Sequence, residues 1–230
     1  MKRHLPNAVT CLNLFSGCLA LCHIFAGELE TAAYFVGLAA VFDFFDGLLA
    51  RALHVSSPIG KDLDSLADMV SFGVVPGAFL FDLLRQAGAD LPTWLPYAGF
   101  LLTVFSALRL AKFNNDTRQS DSFIGLPTPA CTLVVASLPL IMAHDELGIT
   151  KLILNPWLLL TLTVVLSGLL VAELPLFALK FKSFRWQDNQ VRFIFLLLSL
   201  GLLLVLGAAA IPPIILLYVL LSMLTRAKTA

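Results

Sequence analysis

Charge is scarce in this chain. Asp, Glu, Lys and Arg supply only 13% of its 230 residues, about half the share of an ordinary soluble domain. The 15 cations cancel the 15 anions, so there is no basic excess to recruit a nucleic acid. Cysteine is limited to four residues. Cys11, Cys18 and Cys22 fall near one stripe of a single helical run, with Cys131 elsewhere. A disulfide within one helix is geometrically poor, so these cysteines read as small packing residues. No polar linker and no internal repeat interrupts the chain, and no segment between apolar runs is long enough to fold alone.

What remains is apolar: 59% hydrophobic residues and a mean hydropathy of +0.90. A helix needs about 20 apolar residues to cross the hydrocarbon core. Such runs are expected at 8–26, 32–53, 64–84, 93–112, 127–143, 155–173, 190–207 and 211–225. Between the last two, Pro212-Pro213 reads either as a hairpin turn or as a break in one long helix. The expected fold is an all-α, polytopic membrane helix bundle forming one domain over residues 1–230. The first run has the basic start of a signal peptide, but Asn7, Thr10 and Asn13 enter it and more spans follow. It is read as retained.

Basic residues give the orientation. Lys2, Arg3, Arg51, Lys61, Arg109, Lys112, Arg118, Lys180, Lys182, Arg185, Arg192, Arg226 and Lys228 fall on one side of an eight-span chain. Only Arg85 and Lys151 fall opposite, where Glu28, Glu30, Asp90, Asp145 and Glu146 collect. Positive residues stay inside, so both termini are expected to be cytoplasmic. Trp94, Trp157 and Trp186 fall at span ends, as interfacial anchors should.

Against this background the stretch from Asp43 to Asp68 stands out. Asp43, Asp46, Gly47 and Ala50 follow the i, i+3, i+4, i+7 spacing of one helix face, and Asp64 and Asp68 share a face of the next. A hairpin through Ser56, Ser57, Pro58 and Gly60 would bring the two faces together. Ionisable groups in a membrane mark functional sites, and four converging carboxylates repel one another unless a cation joins them. All-oxygen ligation favours Mg²⁺ or Mn²⁺, one or two ions, held by Asp43, Asp46, Asp64 and Asp68. Gly47 and Ala50 leave room for a bulky group, and Arg51 offers a charge suited to phosphate. Asp62 points away by helical angle and is expected near the helix start, at the favourable end of the dipole.

The residues Asp43, Asp46, Gly47, Ala50, Arg51, Gly60, Asp64 and Asp68 match the D-x2-D-G-x2-A-R-x8-G-x3-D-x3-D signature. The chain therefore resembles the CDP-alcohol phosphotransferase family. Four flanking segments, Pro6–Gly17, Asp64–Pro76, Arg109–Asn114 and Phe123–Ala130, look like the family's bacterial phosphatidylserine-forming branch. The resemblance implies a six-helix core over about 1–175, with extra C-terminal helices over about 188–226. It also implies a homodimer in the bacterial inner membrane and a dinuclear metal site. Its substrates would be CDP-diacylglycerol and L-serine, giving phosphatidylserine and CMP. Carried onto this chain, it gives CDP-diacylglycerol binding to Asp43, Asp46, Gly47, Ala50, Arg51, Gly60 and Asp64. Asp68 is expected to be both a metal ligand and the general base.

The serine carboxylate wants a cation, and Arg109 is the candidate, its alternative being an interfacial anchor whose head snorkels to water. Lys112 reads as such an anchor. The same chemistry on glycerol 3-phosphate, inositol phosphate or an amino alcohol stays open. So does a transporter that uses the aspartates to bind a cation, although no repeat of the aspartate segment supports it.

Overall fold

The computed structural model describes residues 4–55, 57–88, 92–115, 122–145, 148–177 and 186–226. Ser56, Asp90, Glu146 and the basic residues Lys2, Arg3, Arg118, Lys180, Lys182, Arg185 and Lys228 lie outside them, as do the side chains of Trp186 and Arg226.

Two long helices open the chain, α1 (Leu5–Phe25) and α2 (Leu29–Ala52), and they pack along each other. α2 ends in a Schellman motif: Val55 N–H donates to the Ala50 carbonyl (3.0 Å) and His54 N–H to that of Arg51 (3.2 Å). His54 takes the left-handed conformation (φ 51°) that this cap requires. The hairpin expected from the sequence then follows. Ser57 caps α3 (Pro58–Asp68), its hydroxyl accepting from Gly60 N–H at 3.0 Å, and Pro58 fills the first turn, where no N–H is needed. These signals start α3 six residues before the expected span. Asp62 consequently lies in its second turn rather than at the helix start, although it does face outward, as its angle implied.

After Asp68 the helix widens into a π turn, Met69–Val74, before continuing as α4 (Val75–Gln86). The cause is local. Pro76 has no N–H for the Phe72 carbonyl, four residues back. The Thr132 hydroxyl lies 3.0 Å from that carbonyl, sharing its proton with Thr128 O, and the Thr103 hydroxyl donates to Gly73 O at 2.8 Å. This run is the centre of the bundle: 67% of its most apolar window is buried, against 17% for the run from Asn189 to Leu224.

A 3-10 stretch (Leu95–Phe100) leads into α5 (Leu101–Asn115). Then come α6 (Thr128–His144), the short α7 (Thr150–Ile153) and α8 (Pro156–Val171). α9 (Trp186–Leu206) and α10 (Ile211–Arg226) are separated by a 3-10 turn, Gly207–Ala210. Each of the eight expected spans coincides with a helical run. Among the described residues four runs are long and apolar enough to cross a membrane, Asn189–Leu224 counting as one, and α6 and α8 are shorter apolar helices.

Rings decide the Pro212-Pro213 question. The Phe195 and Tyr218 centroids lie 5.7 Å apart, whereas 23 residues of straight helix would separate them by about 35 Å. The chain therefore folds back on itself at Gly207, whose φ of +52° suits glycine. One feature has no signal in the sequence: β1 (Ser122–Ile124) pairs antiparallel with β2 (Pro175–Phe177), tying the approach to α6 to the chain after α8. The cysteines depart from expectation too. Cys131 is buried, but Cys11, Cys18 and Cys22 are exposed on the protein surface, and none is bridged.

Candidate active site

A cavity of about 510 Å³ opens between α1, α2 and α3, and all eight residues of the aspartate signature line it. α2 supplies Asp43, Asp46, Gly47, Ala50 and Arg51; α3 supplies Gly60, Asp64 and Asp68. One carboxylate oxygen from each of Asp43, Asp64 and Asp68 lies within 4.8 Å of the other two. Asp46, 6% exposed, is the least solvent-exposed of the four and leaves Oδ2 without a partner.

These observations bear on whether a divalent ion fits. Carboxylates that converge this closely repel one another unless a proton or a cation joins them. Three converging oxygens, with a fourth carboxylate on the same wall, make an all-oxygen donor set of the kind hard cations take. The residues present fit such an ion.

Small residues shape the rest of the wall. A Cβ built at Gly47 would meet only the Arg51 guanidinium, at 3.8 Å, so the cavity is open there. At Gly60 a Cβ would come 3.0 Å from Ser57 Oγ and 3.1 Å from Asn7 Oδ1, so any larger residue would have to push these two side chains aside. Arg51 stands exposed at the rim.

α1 contributes more than the sequence suggested. Asn7 and Thr10 line the cavity. The Asn13 amide donates to Asp68 Oδ1 at 3.4 Å, and Ser71 donates to the Asn13 carbonyl at 3.1 Å. Lys61, also on the cavity wall, donates to Asn114 O (3.1 Å), while the Asn114 amide donates to Ser65 Oγ (2.8 Å). The polarity of Asn7, Thr10 and Asn13 inside an apolar run was the available signal. Their partners lie too far along the chain for spacing to reveal.

Arg109 does not line this cavity. It is 7% exposed, within reach of the Asp68 charge, and its Nη1 donates to Thr128 Oγ1 at 3.5 Å. Its Nε has no partner, and the guanidinium carbon stands 5.7 Å from the Phe113 ring centroid. A head group held this deep is not a snorkelling anchor. Lys112, by contrast, is exposed.

With this geometry in view, comparison with known proteins gives the class. Residues 3–168 match the family of CDP-alcohol phosphatidyltransferases. The chain belongs to that family; it is an integral membrane transferase, not the transporter the aspartates alone left open. Among its relatives is a CDP-diacylglycerol–serine O-phosphatidyltransferase of Bacillus subtilis, 31% identical over 161 residues, covering 66% of this chain and 87% of that protein. An enzyme of the same name from Helicobacter pylori is 31% identical over 206 residues, 87% of this chain and 81% of that one. An archaetidylserine synthase of Methanothermobacter thermautotrophicus is 33% identical over 149 residues, 63% of this chain and 61% of that protein.

Proposed function

We propose that this chain transfers a phosphatidyl group from CDP-diacylglycerol to the hydroxyl of L-serine, releasing CMP. The observation that carries the reading is the convergence of all eight signature residues on one cavity, with the charge of Asp68 within reach of the buried Arg109. The relatives support serine as the acceptor. Their names differ in the lipid, phosphatidyl or archaetidyl, and agree on serine.

In this reading the CDP headgroup lies along Gly47, Ala50 and Gly60, where side chains are absent or small, and the Arg51 guanidinium meets its diphosphate. Asp43, Asp46, Asp64 and Asp68 would hold Mg²⁺ or Mn²⁺, as one or two ions. When bound, the metal neutralises charge on the diphosphate and on departing CMP. Asp68 accepts the proton of the serine hydroxyl as its oxygen bonds to the phosphatidyl phosphorus and the bond to CMP breaks. The Asn13 amide fixes the Asp68 carboxylate for this. Arg109 takes the serine carboxylate, a charge-assisted contact worth most away from water. The diacyl chains leave sideways into lipid, which is why the site sits within a helix bundle.

We read the chain as one domain, a six-helix core over about 1–175 with the C-terminal hairpin added. It would be a homodimer in a bacterial inner membrane with both termini and the cavity facing the cytoplasm.

The test offers purified protein CDP-diacylglycerol and Mn²⁺ with L-serine, glycerol 3-phosphate, inositol phosphate or ethanolamine, each alone. Phosphatidylserine and CMP with L-serine only are expected. CMP release with another acceptor in place of serine would move the headgroup and leave the transferase.

A further inference from the structure

The family match ends at residue 168, and the hairpin of α9 and α10 lies beyond it. Its packing is specific. Tyr218 on α10 donates its hydroxyl to the Phe177 carbonyl at 2.9 Å, and one turn later Ser222 Oγ accepts from Phe177 N–H at 3.4 Å. Both backbone groups of the last residue of β2 are thus satisfied by α10. Phe177, Phe195 and Tyr218 close a three-ring cluster with centroids 5.0 to 5.9 Å apart. Tyr218 itself is 7% exposed.

From this anchor a short series of bonds leads to Arg109. β2 pairs with β1, Phe177 opposite Ser122. Directly after β1, Gly125 N–H donates to Leu174 O (2.8 Å) and Leu126 N–H to Leu169 O (2.9 Å). Two residues on, Thr128 Oγ1 accepts from Arg109 Nη1. Tyr218 also lies within electrostatic reach of the Arg109 guanidinium. A buried cation with so few partners takes its position from what surrounds it, and the Tyr218 hydroxyl of α10 is one of the groups whose field it feels.

We propose that the C-terminal hairpin is part of the acceptor site, and that Tyr218 is a positioning residue that sets Arg109 for the acceptor carboxylate. The proposal rests on the assignment of Arg109 to that carboxylate. Without the Tyr218 hydroxyl, β2 keeps only the Ser222 bond to α10, the hold on Thr128 through β1 loosens, and the guanidinium gains freedom to tilt. The consequence is selective. Discrimination for a carboxylate-bearing acceptor falls, while handling of the donor, on the far side of Asp68, does not change.

The experiment compares full-length wild type, Tyr218→Phe, Ser222→Ala and Arg109→Gln with L-serine and with L-serinamide, which lacks the carboxylate charge. For each, kcat/KM with both acceptors, KM for CDP-diacylglycerol and the apparent Tm in detergent are measured. Tyr218→Phe keeps the ring and removes one hydrogen bond, so the expected change is moderate. The preference for L-serine over L-serinamide should fall about fivefold, the equivalent of one such bond. KM for CDP-diacylglycerol should stay within about twofold. Ser222→Ala, which removes the companion bond, should move the preference the same way. An unchanged preference in both variants, whatever happens to Tm, overturns the proposal while a reduced preference in Arg109→Gln leaves the arginine assignment standing. If Arg109→Gln also keeps the preference, or wild type does not use L-serine, the underlying reading is what has failed.

Discussion

The side-chain amide of Asn13 reaches Asp68 across 3.4 Å, from the first helix to the last carboxylate of the signature, 55 residues away. Asn13 is fully buried, and Ser71 holds its backbone carbonyl from the π turn. Asp68 is therefore aimed by α1 as well as placed by α3. Asn13→Leu should lower kcat by about 10- to 100-fold, the value of a hydrogen bond to a charged group. KM for CDP-diacylglycerol should barely move. A steady-state comparison at saturating CDP-diacylglycerol and L-serine checks this, and a variant with wild-type kcat would remove Asn13 from the catalytic arrangement.

Asp68 itself makes a sharper case. Asp68→Asn keeps the shape and the contact with Asn13 but cannot accept a proton. Transfer should fall by about 10²- to 10⁴-fold, the usual contribution of a general base. The folded variant should still bind CDP-diacylglycerol, which equilibrium binding to the purified protein can show. Retained turnover would assign the proton to another group.

The open wall at Gly47 gives a prediction of the opposite kind. Its Cβ position meets nothing but the Arg51 guanidinium, so Gly47→Leu should fold and place its side chain in the cavity. KM for CDP-diacylglycerol should rise at least about tenfold, since steric overlap of this kind costs more than about 1.4 kcal/mol. The apparent Tm should change little. Thermal unfolding alongside donor titration separates this outcome from simple misfolding.

Stability should respond instead at the π turn. Thr132→Val preserves volume and leaves the Phe72 carbonyl without the hydroxyl that compensates for Pro76. A buried acceptor left unpaired costs about 1–3 kcal/mol, read as a lower apparent Tm in detergent. The Asp43, Asp64 and Asp68 cluster lies a turn or more away, so the activity of the protein that remains folded should be largely kept.

Much of this was legible in the sequence because two periodicities are strong in it. Apolar runs of membrane length predicted the helices, and the 3- and 4-residue spacing of Asp43, Asp46, Asp64 and Asp68 predicted two facing stripes. Ser57, Pro58 and Gly60 even named the turn between them. Other features depended on partners far apart in the chain. Arg109 has the same sequence context whether it snorkels or is buried, and only the packing of α5 against its neighbours decides. The β1–β2 ribbon is three residues long on each side, too short for alternation to register. Pro212-Pro213 fits a break as well as a hairpin until Phe195 and Tyr218 are seen together. The π turn follows from Pro76, but its compensation comes from Thr132 on another helix.

The most direct test of the whole account is metal-dependent transfer by wild type and Asp64→Asn side by side. Both are stripped with EDTA, given CDP-diacylglycerol and L-serine, and titrated with Mn²⁺ while CMP and lipid product are followed. The account predicts no CMP from either protein before metal is added. Phosphatidylserine should then form with the wild type, and Asp64→Asn should respond only at Mn²⁺ concentrations at least about tenfold higher, as expected for loss of one ligand. Transfer that survives EDTA, or an Asp64→Asn titration that overlays the wild type, would contradict it.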